Sequence, residues 1–254
     1  IAMVALQVLG YENVRNLAGG ITAWTNGQFE VVTDPMPEAA RGAAPDIDPA
    51  LVAAVDAYLS GIPQGFGVVQ PADVSTELAE NPPFLLDVRE VSEWDTDGYI
   101  EGAVNIPLRT LAASLDLLPA DKDTPIVIYC KAGTRGSIGM TIVQMLGYTN
   151  VRNMAGGIMG WINAGFPVVG GTAAEAPAEP VAVTLPTGTV LPVETLTPVV
   201  ADALVAIPQG FASIPAETLM QAPDSYFILD VRELDEYEAG HIAGAVNIPL
   251  RTLA

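Results

Sequence analysis

The residues whose types and spacing suit chemistry lie in one stretch, Ile126-Val-Ile-Tyr-Cys130-Lys131-Ala132-Gly133-Thr134-Arg135-Gly136-Ser137-Ile138. An apolar, β-branched run ends in a cysteine, a short glycine-containing loop follows, and a helical pattern begins. Consecutive backbone N–H groups in such a loop can converge on an anion. The start of the following helix adds roughly half a positive charge aimed the same way. Lys131 and Arg135 place two cationic side chains in the loop of a chain that carries 30 acidic against 10 basic residues. Together these features favour the thiolate of Cys130 over its thiol, and the same cradle would stabilise negative charge on a sulfur bound to it. The competing reading is a buried, inert thiol at a strand end. Two cations and a glycine turn weigh against it.

Other chemistries are short of residues. Cys130 is the single cysteine, so an internal disulfide and a cysteine-rich metal site are excluded. One histidine, His241, makes a histidine metal centre or a Ser-His-Asp triad improbable; no metal and no cofactor are expected. The net charge of −20 argues against nucleic acid, whose phosphates need cationic neutralisation, and against an anionic membrane surface. No apolar run reaches the ~18 residues of a spanning helix. The sequence opens at Ile1, inside an apolar helical pattern, so no signal peptide can be read. A Lys-poor, acidic composition with Pro/Ala/Thr stretches points to the bacterial envelope or export rather than to the cytoplasm.

The elements that must hold Cys130 follow from the apolar pattern. Phe84–Val88 and Pro125–Cys130 read as strands buried on both faces of a parallel sheet. Residues 68–69, 103–106 and 151–153 are weaker strands. Helical patterns cover 71–80, with Pro71 in a tolerated first-turn position, then 108–118, 137–146 and 157–164. A further helix at 50–60 is expected to pack on this module from its N-terminal side. Strand–helix alternation of this kind predicts an α/β fold, a doubly wound three-layer α/β/α sandwich with a central parallel sheet. In such sheets the reactive site lies beyond the carboxyl ends of the strands, and Cys130 ends its strand.

The chain also repeats itself. Leu9-Gly-Tyr-Glu-Asn-Val-Arg-Asn-Leu-Ala-Gly-Gly-Ile21 recurs at Leu146–Ile158, Phe84–Glu90 recurs at Phe227–Glu233, and Gly102–Ala112 is identical to Gly244–Ala254. These are duplicated modules, cut differently. Residues 1–33 read as the C-terminal part of a preceding module, 34–45 as a linker and 46–170 as the one complete module. A Pro/Ala/Thr linker follows at 171–198, and 199–254 are the N-terminal part of a following module. The two partial modules are complementary and are expected to pair, without any counterpart of the strand that carries Cys130.

With these motifs in view, the chain resembles the rhodanese-like family, in tandem thiosulfate sulfurtransferase modules. The family loop Cys-x-x-Gly-x-Arg is matched by Cys130–Arg135. Its upstream signature is matched by Asp87-Val-Arg89, Glu93-Trp94 and Gly98-Tyr99-Ile100-Glu-Gly102-Ala-Val-Asn105-Ile-Pro107, and its C-terminal signature by Gly147–Val151 and Gly156-Gly157-Ile-Met-Gly-Trp161. The resemblance implies covalent sulfur transfer through a Cys130 persulfide, from a small anionic donor such as thiosulfate to a thiol or cyanide acceptor. Lys131 and Arg135 would draw in the donor, and the amides of Ala132, Gly133, Thr134, Arg135 and Gly136 would hold the transferred sulfur. Asp87 and Arg89 would brace the loop from behind, as a structural ion pair. Two departures stand out. Tyr99 replaces the usual His, with one extra residue between Trp94 and Ile100 relative to the Gly240-His241-Ile242 copy, and Gly136 stands where a Ser commonly supplies a hydroxyl. A phosphatase of the related fold needs a loop one residue longer than Cys130–Arg135. A non-catalytic scaffold of rhodanese-like modules is the alternative from another class.

Overall fold

In the computed structural model, which describes residues 1–37, 46–170, 193–207 and 210–254, the two strongest apolar runs lie side by side. In chain order the elements around them are β1 (Val68–Val69), α1 (Pro71–Glu80), β2 (Phe84–Asp87), α2 (Val91–Asp97), β3 (Val104–Asn105), β4 (Ile126–Tyr129), α3 (Thr134–Met145), β5 (Val151–Met154), α4 (Gly157–Asn163) and α5 (Val193–Ala206). The strands are parallel in the order β1-β5-β4-β2-β3, so β4 is central. Its register with β2 sets Leu86 opposite Ile128 and Asp87 opposite Tyr129.

Successive strand residues face opposite layers. Leu85, Val127 and Tyr129 join a core with Val74, Ile158 and Trp161 under α1 and α4. Leu86, Ile126 and Ile128 are buried on the other face, where α3 packs on β4 and β5. Gly139 of α3 lets that helix approach closely, since an added Cβ would already touch Val88, Ile128 and Leu108. The fold is the expected α/β/α sandwich.

Two local expectations shift. The helix expected over 108–118 is a pair of 3₁₀ helices, Leu108–Ala113 and Leu115–Leu117. Leu108 and Leu111, three apart and both buried, share one edge of a three-residue turn. The helix expected from 137 begins at Thr134, because Gly133 turns the chain at φ 105°. Arg135 and Gly136 therefore belong to its first turn.

The module boundaries also differ from those expected. The chain forms two units, one of Pro63–Ala206 and one combining Ala2–Ile62 with Ile207–Ala254. In the first, α5 packs on Leu108–Ala113 and buries Leu196, Val200 and Leu204. It thus claims residues 193–198 of the expected linker; 171–192, and 38–45 of the other linker, lie outside the described residues. The helix Pro49–Ser60, expected on the module that follows it, lies instead in the second unit against Leu250–Thr252. The complete unit is therefore 63–206 rather than 46–170. Both helices carry apolar stripes and lead into Ile-Pro, so local sequence does not say which sheet each one covers.

The second unit joins the two partial modules. Asn16–Leu17 pairs in parallel with Ser213–Ile214, Leu229–Asp230 with Val246–Asn247, and Val32 bridges His241. Trp24 packs with Leu219, Tyr237 and Ile242. These pairs match β5–β1 and β2–β3 of the first unit. Among the described residues no strand joins them in the place that β4 fills there, and Phe227 is left 69% exposed.

Candidate active site

Cys130 follows the last residue of the central strand and is buried, at 2% exposure. Its Sγ accepts the N–H of Gly133 at 3.1 Å, and the N-terminus of α3 starts at the next residue. The sulfur thus lies within reach of a loop amide, one residue before a helix begins.

The loop carbonyls are tied back from the opposite side. The carbonyls of Cys130 and Lys131 accept from the N–H groups of Ile158 (2.7 Å) and Met159 (3.1 Å) in the first turn of α4. Gly157 permits this approach. It sits at φ +57°, and a Cβ there would lie 2.3 Å from the Cys130 carbonyl oxygen. With those carbonyls engaged on α4, the Gly133 amide remains for the sulfur. The Gly-Gly signature thus works as the rear support of the cysteine loop.

Asn153 of β5 supplies a third support. Its Nδ2 donates to the Gly133 carbonyl (3.2 Å) and to Ser137 Oγ (3.0 Å), while Ser137 Oγ donates to the Gly133 carbonyl at 3.1 Å. A Cβ on Gly136 would lie 2.1 Å from Asn153 Oδ1. Gly136 is therefore dictated by Asn153, and the hydroxyl of Ser137 donates to the loop backbone. Asn153 was not anticipated. A buried asparagine (4% exposed) in a strand beside Val151 and Met154 was the available signal.

The two loop cations, expected to draw in an anionic donor, are each paired with a carboxylate. Arg135 forms a two-pronged pair with Glu93, at 2.5 and 2.7 Å, and Lys131 Nζ lies 2.9 Å from Asp97 Oδ2. Both acids sit on α2, four residues apart and so on one face. The hydrogen bond from Arg135 holds the Glu93 carboxyl below its ordinary pKa, and Glu93 in turn raises that of Arg135.

Asp87 and Arg89 form a wholly buried pair, with both side chains at 0% exposure and a 2.6 Å contact. Their hydrogen bonds run to each other and to α2 and the turn after it. Burial works against the Arg89 charge, but the hydrogen bonds and charge of Asp87 outweigh it and raise its pKa. Arg89 also donates to the carbonyls of Gly98 (2.7 Å) and Glu93 (3.5 Å), and Trp94 Nε1 donates to Asp87 Oδ2 at 2.7 Å. The pair thereby fixes α2, which carries the two acids to the loop. Tyr99 keeps the role of the absent histidine: it stacks on Trp94 at 3.8 Å, as His241 stacks on Tyr237 at 3.7 Å. Among the described residues no group of three or more His, Cys, Asp or Glu is placed to hold a metal ion. Among the described residues no helix is long and apolar enough to cross a membrane.

A parallel α/β/α sheet with a thiol cradled at the carboxyl end of its central strand defines the class. The chain belongs to the Rhodanese-like domain family, whose model matches residues 70–164 and 215–254. A sulfurtransferase from Allochromatium vinosum is 31% identical over 102 residues, covering 40% of this chain and 92% of that protein. The human thiosulfate:glutathione sulfurtransferase is 32% identical over 110 residues, covering 39% and 95%. The crystal structure of a rhodanese-related protein from Thermoplasma volcanium aligns at 30% identity with a TM-score of 0.36, covering 40% of this chain and 96% of its own.

Proposed function

We propose that the Pro63–Ala206 unit is a rhodanese-type sulfurtransferase that carries sulfur as a persulfide on Cys130. The Cys130 thiolate attacks the outer sulfur of a donor such as thiosulfate. A new S–S bond forms, the donor's S–S bond breaks, and sulfite leaves with the electron pair. A thiol, as its thiolate, or cyanide then attacks the outer sulfur of the persulfide and restores the Cys130 thiolate, in a two-step exchange. The observation that carries this reading is the N–H of Gly133 on Cys130 Sγ, in a loop whose carbonyls are held away by α4. The amides of Ala132 to Gly136 form the rest of the anion cradle. The names of the relatives support the same reaction class.

Intact mass after thiosulfate treatment tests it directly. The chain should gain one sulfur atom and lose it on addition of thiol, and Cys130→Ser should gain none. Equal thiosulfate–cyanide turnover by wild type and Cys130→Ser would refute the proposal and leave the scaffold reading.

A further inference from the structure

Two carboxylates reach the cysteine loop from α2, and an insertion accounts for one of them. In the first unit the segment reads Val91-Ser-Glu-Trp-Asp-Thr-Asp97-Gly98-Tyr-Ile100; in the second it reads Leu234-Asp-Glu-Tyr-Glu-Ala239-Gly240-His-Ile242, one residue shorter. The shorter version keeps the capping box, the arginine–glycine hydrogen bond and the aromatic stack, but not the Trp94–Asp87 hydrogen bond or the 3.9 Å approach of Asp97 to Arg89. Glu233 and Glu236 form the same capping box as Glu90 and Glu93. Arg232 donates to the Gly240 carbonyl at 2.8 Å, as Arg89 does to that of Gly98 at 2.7 Å. The aromatic stack is also retained. What also differs is the residue before the glycine, Asp97 in place of Ala239, and Asp97 is the residue that meets Lys131. The extra residue is thus not needed to build the turn.

We infer that Asp97 is a specificity-determining residue: by neutralising Lys131 it disfavours doubly charged sulfur donors relative to singly charged ones. This rests on the sulfur-transfer reading above. Lys131 is 49% exposed and Asp97 16%, so a donor approaching Cys130 meets a cation whose charge is already matched. An unmatched cation would attract a dianion about twice as strongly as a monoanion at the same distance. Thiosulfate is a dianion; an organic thiosulfonate, RSO2S−, carries one charge. The bond changes are the same for both. The thiolate bonds to the outer sulfur, the donor's S–S bond breaks, and sulfite or sulfinate departs with the pair.

The experiment compares the full chain with Asp97→Asn, Lys131→Gln and the double variant, using thiosulfate and methanethiosulfonate, which are close in size. At low salt Asp97→Asn should lower KM about tenfold for thiosulfate and about threefold for methanethiosulfonate, the square relation that twice the charge imposes. These gains should shrink at high salt as the exposed cation is screened, with kcat changed less than about twofold. In the Lys131→Gln background the Asp97→Asn change should have no effect on either KM. Equal shifts for the two donors, or shifts that persist without Lys131, would overturn the inference and make Asp97 a shaper of the loop. If wild type loads sulfur but Asp97→Asn leaves both KM values unmoved, the inference fails alone. If wild type loads from neither donor, the proposed function fails with it.

Discussion

Gly157→Ala isolates the contact that supports the cysteine loop. The backbone at 157 has φ +57°, and the new methyl would fall 2.3 Å from the Cys130 carbonyl oxygen and 2.8 Å from the Lys131 carbonyl. Left-handed backbone costs a non-glycine residue about 1–2 kcal/mol. Relieving the overlap must also part α4 from the loop, giving up the Ile158–Cys130 and Met159–Lys131 hydrogen bonds, at about 0.5–1.5 kcal/mol each. The sum is roughly 2–5 kcal/mol, a fall in Tm of roughly 5–15 °C for a unit of this size. Gly165→Ala is the matched control: its φ is +84°, yet a Cβ there meets nothing within 4 Å, so only the backbone cost applies. Calorimetry gives the stabilities, and single-turnover mass spectrometry gives the rate of sulfur loading on Cys130. Gly157→Ala should load about a hundredfold more slowly, because displacements near 1 Å at a reacting group have that effect, while Gly165→Ala loads at the wild-type rate. Equal loading by the two variants would show that α4 does not position the sulfur.

Two further outcomes follow from the ion pairs. Asp87→Asn leaves the buried Arg89 guanidinium with only the more distant Asp97 carboxylate, at 3.9 Å, and should destabilise the first unit by about 3 kcal/mol in urea unfolding; a loss within error of zero would mean that the pair does not brace α2. Glu77 and Glu93 are held below the ordinary carboxyl value of 4.5, each chiefly by hydrogen bonds from its arginine, Arg152 and Arg135 respectively. The native state then binds their protons less readily than the unfolded chain, so this stability is fully present above about pH 4.5 and is lost as pH falls through the lowered native values. A Glu77→Gln/Glu93→Gln chain should show a flatter decline of Tm across that acid range, and an unchanged decline would contradict the pairing.

The parts of the molecule legible in the sequence are those decided locally. Ile126–Tyr129 could hardly be anything but a buried strand, and a cysteine, a glycine and a helix start follow it within a few residues. The charge state of the loop was not legible in this way. Glu93 and Asp97 lie far upstream of their partners Arg135 and Lys131, and only the sheet order, with β2 beside β4, brings α2 over the loop. Two acids four apart, with an extra residue relative to the other copy, were the signal available. The assignment of Pro49–Ser60 failed for a different reason. Two helices with similar apolar stripes precede two similar Ile-Pro steps, and the pattern that marks Val55 and Leu59 for burial does not name the unit that buries them.

The placement of α5 has a consequence for how copies of this module are joined. Since the helix that closes the first unit comes after its last strand, while Pro63 opens that unit, one repeat passes to the next between a closing helix and an Ile-Pro step. Recombination or engineered splicing at that step would exchange whole modules. A crossover in the Pro/Ala/Thr segment would instead hand each module a neighbour's helix to bury over Leu108 and Leu111.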